Sequence, residues 1–259
     1  MTIITALLIM LSYTCKPEKA LSETTSQEVQ KIILQPQDTL TCDLNFLTGR
    51  FDPAKHDSFV KIPAIYGNRE GMYLQKEVFE AFLLMYDAAK KDNIHLKIVS
   101  ATRNFEAQKS IWEAKWNNLL KDDKIKTRDD KDILTAKNIL EYSSMPGTSR
   151  HHWGTDIDLN ALNNEWFEKG EGKLLYDWMI INGPSFGFHL VYSEKGQVRP
   201  TGYNEEKWHY TYKPLSKKYT ALVRENLKDT DIKGFEGAHT AVQLNIVNQY
   251  VLGIHPDCF

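Results

Sequence analysis

Between Ser149 and Asp158 the chain reads Ser-Arg-His-His-Trp-Gly-Thr-Asp-Ile-Asp, the densest polar cluster in the sequence. Such a cluster limits what can be built around it. Imidazole and carboxylate are good ligands for a metal such as zinc, and a loop turning at Gly154 into a strand aims both kinds of side chain inward. Strand alternation puts Asp156 and Asp158 on one face and Ile157 on the other. Six residues separate His151 from Asp158; on geometry alone either aspartate could ligate.

A second cluster, Glu205-Glu206-Lys207-Trp208-His209-Tyr210, supplies a carboxylate three positions before a histidine. Two histidines and one carboxylate leave a zinc ion an open fourth position, where bound water has its pKa lowered to about 7. A nearby unligated glutamate can take that proton during attack and return it to the leaving amine, and Glu206 fits this role.

The segments around these clusters read as a mixed fold. Leu74, Val78, Phe82, Met85 and Ala89 recur at helical spacing, predicting an amphipathic helix over Met72 to Lys91. Leu96 to Ser100 reads as a strand, and Asn104 caps a helix to about Leu120, which leaves Arg103 at a strand-to-helix junction. Further helices are expected over Asp130 to Tyr142 and Lys173 to Ile181, halted at Met145-Pro146-Gly147 and Asn182-Gly183-Pro184. Short strands are expected over Thr155 to Leu159, Phe188 to Ser193 and Trp208 to Tyr212, the last ending at Lys213-Pro214. Leu244, Val247 and Val251 share a face of a closing helix over Thr240 to Leu252. Helices early and late with strands between them make an α+β fold, a small antiparallel sheet carrying the polar clusters and helices flanking it.

With 259 residues, 42% of them apolar and 25% charged, the chain has the make-up of a globular protein. No Gly/Ser-rich or Pro-rich linker divides it, so residues 41–259 are expected to form a single domain with a C-terminal helical extension. Its 32 basic and 34 acidic residues leave no cationic excess for a phosphate backbone, which argues against nucleic acid as a partner. No Gly-rich phosphate loop points to a nucleotide or flavin. A monomer is expected.

The apolar run from Ile3 to Leu11 is too short to span a bilayer but suits the core of a secretory signal. Leu11-Ser12-Tyr13-Thr14-Cys15 resembles a loose bacterial lipoprotein signal, although no Lys or Arg precedes the run and Tyr13 and Thr14 are bulky. Residues 1–15 are thus expected to be a signal segment that attaches the protein to a membrane through a lipidated Cys15. Residues 16–40, rich in Glu, Ser, Thr, Gln and Lys, form a tether. That places the protein in the cell envelope. In such a compartment Cys42 and Cys258 are candidates to pair, and closing so long a loop stabilises by about 4–5 kcal/mol in the chain-entropy model.

Ser149, His151, Gly154 and Asp158, followed by Glu206, Trp208 and His209, together resemble the Ser-x-His-x-x-Gly-x-x-x-Asp and Glu-x-Trp-His motifs of zinc D-alanyl-D-alanine peptidases of the VanY type. These belong to the fold group of lysostaphin and the hedgehog signalling domain. The resemblance implies His151, Asp158 and His209 as zinc ligands and Glu206 as catalytic base. Ser100 to Gln108 resembles the family's Ser-Gly-Tyr-Arg-Ser segment with its downstream Gln, which implies that Arg103 and Gln108 bind substrate, assisted by Ser149. An Arg fork suits the terminal carboxylate of a peptide. Asp156 stands where the family has a small residue, usually Ala, and Thr102 where it has an aromatic. Asp156 is then a hydrogen-bond partner of the site, an alternative ligand or a surface carboxylate.

The function implied is a zinc D,D-carboxypeptidase acting on peptidoglycan stem peptides. An endopeptidase or dipeptidase of the same fold, and a non-catalytic zinc-stabilised binding module, are the alternatives. His152 and His189 are read as structural, and Trp153 and Trp208 as pocket walls.

Overall fold

The computed structural model describes residues 43–259 apart from 123 and 125–127. The signal segment, Cys15, the tether and Cys42 lie outside the described residues.

A helical turn, Leu44–Leu47, leads into strand β1 (Phe59–Lys61), which pairs antiparallel with β2 (Tyr73–Gln75). Helix α1 (Lys76–Lys91) follows without a break. The helix expected from Met72 therefore begins four residues later, because Leu74 is buried as a strand residue opposite Val60. From Val78 onward the expected stripe holds, with Val78, Phe82, Met85 and Ala89 buried.

The central sheet has four antiparallel strands in the order β3 (Ile98–Ser100), β4 (Asp156–Leu159), β6 (His209–Tyr212), β5 (Phe188–Leu190). All four residues of β4 are buried. Ile157 and Leu159 enter the apolar core, and the two aspartates project from the opposite face. Register does the rest: Asp158 pairs with Ser100 on one side and His209 on the other, and Asp156 pairs with Thr211.

Helix α2 (Phe105–Leu119) is capped by Asn104, whose side chain accepts from the Ala107 N–H. Helices α3 (Lys131–Ile139) and α4 (Gly170–Asn182) lie near their expected positions. Lys213-Pro214 ends a strand as read, but it also opens helix α5 (Lys213–Asn226), which the sequence reading passed over. Proline in a first helical turn gives up an N–H that would have no intrahelical partner anyway. The buried Leu215, Tyr219 and Val223 were the available signal. The expected closing helix is broken. Ala241–Leu244 stops at Asn245, which takes the left-handed conformation at φ 49°, and Val247–Val251 is a single π-helical turn. Cys258 is buried, its thiol 3.4 Å from the Leu190 carbonyl oxygen.

Candidate active site

Gly154 turns the chain from a 3₁₀ segment, Arg150–Trp153, into β4. Its φ is +68°, and a Cβ there would sit 2.3 Å from the Phe59 ring, so only glycine allows this turn. The turn brings His151 over Asp158. His151 Nδ1–H donates to the Ala101 carbonyl at 2.9 Å, leaving Nε2 aimed at Asp158 Oδ2, 3.3 Å away. From β6, His209 presents Nδ1 3.3 Å from Asp158 Oδ1 and donates from Nε2 to Asp156 Oδ2 at 2.9 Å. The rings lie 4.7 Å apart between centroids, tilted by 65°. His151, Asp158 and His209 each offer an atom within 4.8 Å of the others, and all three are buried.

Asp156 faces elsewhere. Its Oδ2 accepts from Arg150 Nε at 3.0 Å as well as from His209, and its Oδ1 accepts from Thr155 Oγ1 at 2.7 Å and Thr211 Oγ1 at 2.6 Å. It is fully buried, so the surface-carboxylate reading is corrected, and it sits behind a histidine as a hydrogen-bond partner.

Glu206 reaches the same centre because the His209 N–H donates to the Glu206 carbonyl at 3.2 Å, closing a turn that lays the carboxylate 3.2 Å from His209 Nδ1. Burial pushes its carboxyl above the usual range, outweighing the hydrogen bond to His209. Asp158 goes the other way: burial would raise it, but the neighbouring His151 and His209 hold it at about 2. His209 itself, lowered by burial, is lifted to about 10 by its hydrogen bonds to Asp156 and Glu206.

The predicted substrate-binding residues line the same pocket of about 560 Å³. Arg103 Nη1 lies 3.6 Å from Asp158 Oδ2 and contacts Ser100 Oγ, while its Nε donates to Gln108 Oε1 at 3.0 Å. Gln108 is buried and donates from Nε2 to the Ser144 carbonyl at 2.8 Å, so both ends of its amide are engaged. The buried Ser149 hydroxyl has no hydrogen-bond partner among the described residues.

His152 accepts from the Gly147 N–H at 3.0 Å and donates to the Arg103 carbonyl at 2.6 Å; it is the structural residue expected. His189 pairs with Thr211 across the sheet, outside the pocket lining. Trp208 forms part of the wall, but Trp153 does not: it is buried beneath the Arg150 guanidinium and donates to the Leu47 carbonyl at 3.1 Å. Several wall residues escaped sequence reasoning, among them Tyr192, Tyr142 and Lys115. Tyr192 sets its ring 4.9 Å from that of His209, Tyr142 stacks near Trp208, and Lys115 donates to Ser143 Oγ at 2.5 Å. Lys115 was findable, being two helical turns beyond Gln108 on the same face.

His151 Nε2 and Asp158 Oδ1 have no hydrogen-bond partner although both are buried. Orphaned acceptors at the centre of a pocket are costly unless something positive sits between them, and a divalent cation fits that donor set. Two imidazoles, one carboxylate and a buried acid beside an open cleft are a donor set suited to metal-dependent hydrolysis.

The chain belongs to the VanY D-alanyl-D-alanine carboxypeptidase family, whose sequence model matches residues 71–215. Among its relatives, the Bacillus subtilis protein YodJ is 29% identical over 160 residues, 60% of this chain and 50% of that protein. The D-alanyl-D-alanine carboxypeptidase of Enterococcus faecalis is 30% identical over 132 residues, 49% of this chain and 44% of that protein. The chain thus spans about half the length of the curated relatives it matches. A solved VanY D,D-pentapeptidase in complex with Zn(II) is 25% identical, covering 63% of this chain and 88% of that one at a TM-score of 0.45.

Proposed function

We propose that the protein is a zinc-dependent D,D-carboxypeptidase that removes the terminal D-alanine from peptidoglycan stem peptides. The observation that carries this reading is the pair of orphaned acceptors, His151 Nε2 and Asp158 Oδ1, facing His209 with Glu206 alongside. His151, Asp158 and His209 would hold the cation. When bound, zinc supplies Lewis-acid polarisation of a carbonyl and lowers the pKa of water to about 7.

The chain's own residues supply the rest. Glu206 takes the proton of the attacking water and delivers it to the leaving amine, and a carboxyl raised by burial is matched to both halves of that task. Arg103 pairs with the substrate's terminal carboxylate and so sets which bond lies beside Glu206. Gln108 holds the Arg103 fork in plane, acting on the substrate through it. The Ser149 hydroxyl, buried and unpartnered, is available to the same end of the peptide. A non-catalytic zinc module would not need a buried acid beside the ligands, since structural zinc sites are closed by four protein ligands.

Peptidoglycan lies outside the cytoplasm, and the Ile3–Cys15 segment supports export with a lipid on Cys15 and residues 16–40 as tether. Among the described residues no helix is long and apolar enough to cross a membrane. The test is to incubate the zinc-loaded protein with a stem pentapeptide ending in D-Ala-D-Ala and follow the products by mass spectrometry. Release of single D-alanine is expected. Release of the dipeptide, or cleavage of cross-linked peptides alone, moves the assignment to dipeptidase or endopeptidase, and no product at all removes it.

A further inference from the structure

The fully buried guanidinium of Arg150 is tied into the site by a set of contacts that zinc binding and catalysis, as set out above, do not use. Its Nε donates to Asp156 Oδ2, its Nη2 to Thr211 Oγ1 and its Nη1 to Thr220 Oγ1, each at 3.0 Å. The Thr211 hydroxyl in turn donates to Asp156 Oδ1, and the Thr220 hydroxyl donates to the Ser216 carbonyl at 2.9 Å inside α5. With Thr155 and His209 added, the Asp156 carboxylate accepts four hydrogen bonds, filling the sites two carboxylate oxygens offer. It has no lone pair left for a metal and no room to rotate.

We propose that Arg150 and Asp156 are positioning residues for the metal centre, fixing the tautomer and the ring plane of His209 so that Nδ1 alone faces the cation. The proposal rests on the zinc reading above. An acceptor-only carboxylate opposite Nε2 keeps a ring proton on that nitrogen, so the proton a cation would displace is the one on Nδ1, otherwise directed at Glu206. A charged acceptor also makes His209 a stronger donor to the metal than a carbonyl would. His151 has only the Ala101 carbonyl behind it, so the two imidazoles are held unequally.

Stability does not explain the arrangement. A buried ion pair gains little over apolar residues of the same shape once desolvation is counted. The comparison within the molecule is Arg199, also buried, which donates to the carbonyls of Ser193, Thr201, Tyr203 and Gly253 and braces a loop. Arg150 instead braces a carboxylate whose remaining contacts are two threonine hydroxyls and a histidine. Through Thr220 it also ties the metal centre to α5, which gives that helix a part in the site although no α5 residue lines the pocket.

The experiment measures zinc affinity by chelator competition and the visible spectrum of the cobalt(II) form, neither of which needs turnover. Asp156→Asn keeps the shape and removes the charge, and is expected to weaken zinc binding about 10–100-fold and to shift the cobalt bands. A folded D156N protein with parental zinc affinity and an unshifted spectrum overturns the proposal. Because D156N leaves the Arg150 charge buried and unpaired, the double variant R150M/D156A removes both charges together. It is expected to fold with a melting temperature close to the parent yet bind zinc at least about tenfold more weakly; parental affinity in that variant overturns the proposal equally. His209→Ala separates the two readings. Loss of zinc uptake there, with no effect of D156N, sinks the positioning role alone, and unchanged uptake in H209A sinks the zinc site with it.

Discussion

The floor and the rim of the cleft are built by different means. On the floor, Asp156, Asp158 and His209 come from paired strands, with side chains at most 5% exposed, and register sets their spacing. On the rim, Arg103 hangs from a strand-to-helix junction with its side chain 20% exposed, steered by Gln108 and by a contact to Ser100. Sheet register tolerates no gradual adjustment, whereas a side chain on a junction can follow the ligand. The floor is therefore suited to chemistry that needs fixed donors and the rim to recognition. Substitutions should separate the two, with floor changes appearing in metal affinity and kcat and rim changes in KM.

The largest effect is expected at Glu206. Glu206→Gln keeps the shape of the side chain and removes the base, so kcat should fall by at least about a hundredfold while zinc stays bound. Steady-state rates together with zinc content check this, and unchanged turnover would remove Glu206 from the mechanism. Next comes Arg103→Met, which takes away a charge-assisted pair with the substrate carboxylate. A loss of about 1.5–3 kcal/mol corresponds to roughly 10–150-fold in kcat/KM, expected to come mainly through KM. A purely kcat effect would place Arg103 with the floor. Gln108→Ala is a smaller version of the same test: it frees the fork without removing it, so KM should rise about fivefold, in line with one neutral hydrogen bond of about 1 kcal/mol.

The division also explains what could be read from the sequence. That His151, Asp158, Glu206 and His209 converge was legible because residue types able to ligate a metal, with an acid beside them, recur at spacings a turn and a strand impose. What the residues alone left open was which aspartate joins the two histidines. Asp156 and Asp158 share a strand face, and what distinguishes them is that Asp156 is taken up by Arg150, His209 and Thr211, partners up to 55 residues away in sequence. The same long reach hid Tyr192, which meets His209 only through tertiary packing. Local signals failed where tertiary context overrode them. Leu74 fits the helical stripe of α1 yet pairs in β2, and Pro214 looks like a stop but starts a helix.

Acid should loosen the rim through His152. His152 ties the Arg103 carbonyl to the Gly147 N–H, and burial, partly opposed by the hydrogen bond to Arg103, lowers its pKa to about 3. The unfolded chain protonates the same imidazole near the ordinary value of about 6.5. Between those values the unfolded state binds a proton that the folded state excludes, so this contribution to stability is complete above about 6.5 and is lost as pH falls toward 3. On the floor Asp158, held at about 2, stays ionised throughout that window. Urea unfolding midpoints measured from about pH 7 down to 4 should therefore fall more steeply for the parent than for His152→Gln, whose amide can keep both hydrogen bonds without titrating. Equal slopes would show that the proton enters elsewhere, and His152 would lose its place as an acid-sensitive tie of the rim.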